Sequence, residues 1–213
     1  FLEKICRLIK QHPNGGIYAL SYEFVTPNSA RRAQLAGISS APWCGEINYF
    51  YAAAFGDPPV TSSTAVVRKS VFESTGVFPV GKRMGPDGDM WGRIALQYPI
   101  ILDTTVGATY YLDATNRVSF SFKKTDDHPF IETFGALNLS TLSGEKANDL
   151  KIYILRLKLN DARRCVINGE FKKARAICKG ENYRPFLFRR LAWSTPLNFV
   201  TFAAFLVYQK LRH

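Results

Sequence analysis

Phe1, Leu2, Ile5, Leu8 and Ile9 recur at helical spacing and predict an amphipathic helix on one apolar face, which Asn14-Gly15-Gly16 brings to an end. The next run, GIYALSYEFV, alternates and is rich in aromatic and branched side chains, which predicts a strand. Thr26 to Gly45 is polar and reads as a loop. Glu46 to Phe55 predicts a short helix, broken by Asp57-Pro58-Pro59. VTSSTAVV, from Val60 to Val67, predicts a second strand, Arg68 to Thr75 a short helix closed by Gly76, and Val77 to Met84 a loop. GPDGDMWGRIALQYPI, from Gly85 to Ile100, predicts a helix that ends before Pro99. Ile100 to Asp103 and Gly107 to Leu112 read as strand pieces.

Beyond Asp126 the period turns helical. Glu145 to Ile167 places Leu150, Ile154, Leu157 and Val166 broadly on one side and bases on the other, and Asn168-Gly169 stops it. Glu170 to Cys178 predicts a further helix, stopped by Gly180. The close, RPFLFRRLAWSTPLNFVTFAAFLVYQKLRH, is apolar, aromatic and flanked by bases. Strands interleaved with helices and followed by a helical tail predict an α/β fold with an appended α-helical extension. There is no internal repeat or low-complexity tract.

Composition adds a size and a charge asymmetry. At 46% hydrophobic, with 16 Phe and 10 Tyr, the chain has the means for a sizeable core and is not a disordered sequence. Its net charge of +11 is placed unevenly. Residues 1–150 hold 14 basic and 14 acidic side chains, whereas 151–213 hold 14 basic and 3 acidic. Such asymmetry points to an anionic surface, phospholipid or nucleic acid. Leu191 to Tyr208 carries no formal charge and is bracketed by Arg189-Arg190 and by Lys210 and Arg212. Its length borders on a membrane span, but Ser194, Thr195, Pro196, Asn198 and Thr201 interrupt it. The expectation is a helix lying in the interface of an anionic membrane, with packing against the α/β part as the alternative. No nucleic-acid recognition motif accompanies the charge, so no nucleic-acid partner is expected. Cys6, Cys44, Cys165 and Cys178 form no CxxC pair, and reduced thiols without zinc are expected. A helix with no strand or cap before it reads as a chain cut from something longer.

Asp87 and Asp89 head the helix of the Gly85–Ile100 stretch, and three roles are open to them. Asp is a good helix cap, favoured by the helix dipole, and Pro86 and Gly88 fit a helix entrance. Asp87-Gly88-Asp89 is also an acidic-x-acidic triplet of the kind that holds Mg²⁺ or Mn²⁺. That role ranks lowest, because the basic, Gly-rich GKRMGP precedes the triplet where a buried apolar strand would be needed. The third role is a catalytic base.

The region VTSSTAVVRKSVFESTGVFPVGKRMGPDGDMWGRIALQYPI resembles the latter half of family-2 glycosyltransferases, through Arg68, Phe72, Gly76 and Phe78, then Gly85, Asp87, Asp89, Trp91, Arg93 and Tyr98-Pro99-Ile100. Pro86 stands where that family usually has Glu. The resemblance covers roughly residues 1 to 125. It implies an incomplete A-type, Rossmann-like glycosyltransferase half-domain: residues 1–130 as the acceptor-side part, and 131–213 as a basic helical extension. The nucleotide-binding half and the ligands of a divalent metal, Mg or Mn, are then expected upstream of Phe1, and the 213 residues alone are expected to be inactive. Asp87 would be the base. Asp89 would meet acceptor hydroxyls or simply cap the helix. Thr61 and Ser62, with Ser63, would line the acceptor pocket, although polar residues also commonly start strands. Trp43, in APWCG, would stack on a sugar ring or lie in the core. Trp91 is expected to pack inward, Arg93 to pair with an acid, and His128 to be a surface-loop histidine.

The function so implied is inverting transfer of a sugar from a nucleotide-diphosphate donor to a saccharide or lipid-linked acceptor, in cell-surface polysaccharide or glycolipid synthesis. The expected location is cytoplasmic, peripheral at the inner membrane face. The alternative is a non-enzymatic, basic module that binds membrane surfaces.

Overall fold

A computed structural model describes residues 1–82, 84–115, 128–179 and 182–194. They form two compact units, one of residues 1–115 and 128–153, the other of 154–179 and 182–194.

The first unit is mixed α/β. Its centre is β1 (Ile17–Thr26). One side of β1 pairs in parallel with β5 (Ile100–Tyr111) along nearly its whole length. The other side is shared: β4 (Ala65–Val67) runs antiparallel to Ile17–Ala19, and β2 (Ser29–Arg32) runs antiparallel to Glu23–Thr26. β3 (Cys44–Ile47) closes the far side of β5, again antiparallel, giving the order β2-β1-β5-β3. Ile17 to Tyr22 is buried without interruption although its letters alternate. A strand paired on both sides and covered on both faces has no solvent face for its polar positions. The two predicted strand pieces are one strand, β5, with an irregularity where Leu20 faces Asp103 but Ser21 faces Val106. Gly107 sits there because a Cβ would stand 2.7 Å from the Leu20 Cβ.

Helix α1 (Leu2–Gln11) covers one face of the sheet through Ile5 and Leu8, which join Tyr18, Leu20 and Ile101 in a buried cluster. Phe1 and Leu2, expected on that face, are exposed, because they precede the turn that reaches the sheet. Two polar ties fix the helix. Lys4 Nζ donates to Thr105 Oγ1 at 3.0 Å, and Arg7 pairs with the buried Asp103 at 2.9 Å. Burial alone would raise the Asp103 carboxyl. The hydroxyl and amide of Thr105 and the cations of Lys4 and Arg7 outweigh it and hold the carboxyl below its ordinary 3.8. A carboxyl lowered by folding lends stability above its unfolded pKa and withdraws it as pH falls through the folded one. The melting temperature is therefore expected to fall on acidification from about pH 5 to about pH 3, and Asp103→Asn to flatten that descent. Parallel descents by scanning calorimetry in the two proteins would contradict the assignment.

On the other side lie α2 (Tyr49–Phe55), α3 (Lys69–Thr75), α4 (Pro86–Gln97) and α5 (Pro129–Gly135). Met90, Trp91, Ile94 and Ala95 are the buried stripe of α4. Phe130 and Phe134 of α5 stack at 4.0 Å, and both meet Phe50 of α2 edge-on. They crowd Gly92, where a Cβ would stand 2.5 Å from the Phe130 ring. Asn48 caps α2, its Oδ1 accepting from the Tyr51 amide, while its Nδ2 donates to Asp149 Oδ2 at 2.7 Å. Asp149 lies on α6 (Gly144–Ile167), a helix that begins in the first unit and continues into the second. From the same helix, Lys146 Nζ donates to the carbonyls of Ala95 and Leu96 in the last turn of α4.

The second unit holds the rest of α6, then α7 (Phe171–Lys179) and α8 (Leu187–Ser194). Gly169, at φ 78°, ends α6, and the Glu170 amide reaches back to the Cys165 carbonyl at 2.8 Å. Its interior includes Leu157, Ala162, Val166, Ala174, Cys178, Tyr183 and Phe186.

Four expectations change. Thr26 to Gly45 contains β2 and the first half of β3, short strands made by pairing with β1 and β5. The helix expected from Glu46 starts only at Tyr49, after the Asn48 cap. The strand expected from Val60 is confined to Ala65–Val67, because Thr61 and Thr64 hydrogen-bond each other across a turn. The α5 helix has no counterpart in the sequence reading. Among the described residues no helix is long and apolar enough to cross a membrane. Most of the uncharged stretch from Leu191 to Tyr208 lies outside them.

Candidate functional site

The first turn of α4 is built by Gly85, Pro86 and two carboxylates. Gly85 is left-handed, at φ 63° and ψ 27°. It also has no room for a side chain, since a Cβ would stand 2.5 Å from Cε1 and Nε2 of His128. Pro86 follows at the first helical position, where its fixed φ suits the helix and its missing N–H loses nothing.

The two aspartates of this turn have different surroundings. Asp89 is 2% exposed, and its Oδ2 accepts from Arg93 Nε at 3.0 Å. Arg93 also donates to the carbonyls of Thr75, at the end of α3, and Val77, so this pair fastens the head of α4 to α3. Asp89 Oδ1 is buried with no hydrogen-bond partner among the described residues. Asp87 is half-buried. Its Oδ1 accepts from the Gly88 amide at 2.8 Å, one of the N–H groups that a helix start leaves unsatisfied. No salt bridge engages Asp87 among the described residues.

Three side chains from distant sequence surround this turn. The His128 ring lies against Gly85 and edge-on to Phe130, a half-buried position in place of the surface loop expected for it. The Tyr153 hydroxyl approaches to 3.9 Å of where a Gly88 Cβ would be. The buried Tyr49 meets Tyr153 edge-on, ring centroids 6.3 Å apart. Burial first, then Tyr153, Asp87 and more weakly Asp89, push the Tyr49 phenol well above its ordinary value. It therefore stays a neutral O–H donor next to the carboxylates. Sequence reasoning named neither tyrosine. Tyr49 stands within the aromatic run NYFYAAAF and Tyr153 within the apolar face of α6, where nothing local separates them from core residues.

The remaining sequence candidates are placed elsewhere. Trp91 packs inward against Phe78. Trp43 is half-buried beside β5, its amide donating to Thr104 Oγ1 at 2.9 Å, with its indole over Gly45. Thr61 is buried, with its hydroxyl 3.0 Å from that of Thr64, while Ser62 is exposed, as is Ser63, which accepts from Tyr110 Oη. No hydrogen bond or ring contact joins Trp43, Thr61 or Ser62 to the Asp87 turn among the described residues. A cavity of about 550 Å³ is lined by Asn48, Tyr49, Tyr98, Glu145 and Lys146 among others, but not by Asp87. Among the described residues no three His, Cys, Asp or Glu side chains gather as a metal site. The Asp87-Gly88-Asp89 triplet does not suit a divalent cation of its own, since its second member is already committed to Arg93. No protein-family model matches the chain, and neither a curated protein nor a solved structure matches it.

Proposed function

We propose that this chain carries the acceptor side of an inverting glycosyltransferase, with Asp87 as the general base. The observation that supports it is the contrast within one helical turn. Asp89 is spent on Arg93, whereas Asp87 is half-exposed and, among the described residues, its carboxylate is hydrogen-bonded by a neighbouring amide and by no salt-bridge partner. The ordered matches from Arg68 to Ile100 supply the reaction class.

The reaction is a single displacement. The acceptor hydroxyl oxygen bonds to the anomeric carbon as the bond from that carbon to the nucleoside diphosphate breaks on the opposite face. The hydroxyl proton passes to an Asp87 carboxylate oxygen. A hydroxyl is a poor nucleophile until its proton is drawn off, and a positioned base is worth about 10²–10⁴-fold. The diphosphate leaves with its electron pair, and the described residues offer no cation site for it.

The reading is tested with a panel of uridine- and guanosine-diphosphate sugars and saccharide or lipid-linked acceptors. Proton NMR of the product is expected to show the anomeric configuration opposite to the donor's. A product that keeps the donor's configuration rules out the single displacement.

A further inference from the structure

We propose that α8, with the arginines around it, seats this protein on an anionic phospholipid bilayer. The inference does not rest on glycosyl transfer.

It begins with exposed apolar side chains on α8. Phe188 is 88% exposed, and its α8 neighbours Leu187 and Leu191 are each 47% exposed. In a helix these positions share one side. α8 also has a buried anchor at its start, since Phe186 lies in the interior of the second unit. The exposed trio is therefore not a helix awaiting its own core.

The surrounding charge names the occupant. Arg184 and Arg189 are exposed and Arg190 is half-buried, so cations precede and follow Phe188. Residues 154–194 hold 11 Lys and Arg against 3 Asp and Glu. Lys172, Lys173, Arg175 and Lys179 are exposed on α7, which packs on α8. Burial, and then the charge of Arg189, hold the Arg163 guanidinium below its ordinary value, so these two arginines repel each other. A surface of opposite charge relieves that repulsion. A protein groove would cover the apolar trio but gives no reason for the cations. A polynucleotide would answer the cations but leave Leu187 and Leu191 against a polar backbone. A bilayer with anionic headgroups answers both, with apolar side chains below the headgroup level and arginines at it. The sequence after α8, PLNFVTFAAFLVY, is uncharged and aromatic.

The test is co-sedimentation of the whole chain with vesicles of phosphatidylcholine alone or of phosphatidylcholine with phosphatidylglycerol. Binding is expected to the anionic vesicles only, and to weaken with added salt. Phe188→Ser is expected to lower the partition coefficient about 10-fold or more. Arg189→Gln and Arg190→Gln are each expected to lower it about fivefold. These side chains lie largely at the surface, and unchanged melting temperatures would show that the variants fold. Equal binding to both vesicle types overturns the proposal, as does binding that survives all three substitutions. So does the absence of binding. Tighter binding to a single-stranded oligonucleotide, lost in Phe188→Ser, would transfer the surface to nucleic acid. A dimer dissociated by Phe188→Ser in sedimentation velocity would transfer it to a second copy.

Discussion

Replacing Arg93 with methionine is expected to remove about 3–5 kcal/mol of folding stability. Methionine keeps much of the side-chain volume, so packing changes little and the loss is electrostatic. What remains is a carboxylate, Asp89, 2% exposed, with neither oxygen hydrogen-bonded among the described residues. The carbonyls of Thr75 and Val77 lose their donor in the same step. Removing one partner of a buried pair costs far more than the pair contributed, because the desolvation of the other is then uncompensated. The double variant Asp89→Leu, Arg93→Met is accordingly expected to recover a large part of the loss. Urea midpoints of the two single variants and the double variant measure it. Additive losses would show that the two side chains act independently.

Replacing Asp87 with asparagine is expected to do the reverse. The amide oxygen can still accept from the Gly88 N–H, and the position is half-buried, so stability should fall only by the loss of a favourable helix-dipole charge, about 0.3–1 kcal/mol. An amide, however, cannot take a proton from an incoming alcohol. The kcat of the proposed transfer is expected to fall about 10²–10⁴-fold with donor binding unchanged. At 1.36 kcal/mol per factor of ten, that is roughly 3–5 kcal/mol on the barrier. The measurement is kcat with wild-type and variant proteins, alongside the donor Kd. Wild-type turnover in Asp87→Asn would remove this residue from the reaction. The two carboxylates, two positions apart, thus part cleanly: one variant pair moves stability, the other moves rate.

The helices were the legible part of the fold. α1, α4, α6 and α7 announce themselves by apolar spacing and by their closing residues, because those signals are local. β2 and β3 do not. SARR is exposed throughout and becomes a strand only by pairing with the outer half of β1. Val60 to Val67 has strand-like letters, yet Thr61 and Thr64 prefer each other's hydroxyls, a competition that side chains of this type offer the backbone. At the candidate site, Asp87, Asp89 and Arg93 could be read because they lie within a helix turn or two of one another. His128, Tyr49 and Tyr153 could not, since only the packing of α2, α5 and α6 brings them to Gly85 and Gly88.

The twelve-residue α4 is fastened at both ends: its own Arg93 donates to the backbone carbonyls of Thr75 and Val77, and Lys146 of α6 donates to the carbonyls of Ala95 and Leu96 at its foot. A helix held in this way keeps its first turn in one place. In the proposed transfer, the incoming alcohol would meet at Asp87 a group whose orientational entropy was surrendered on folding.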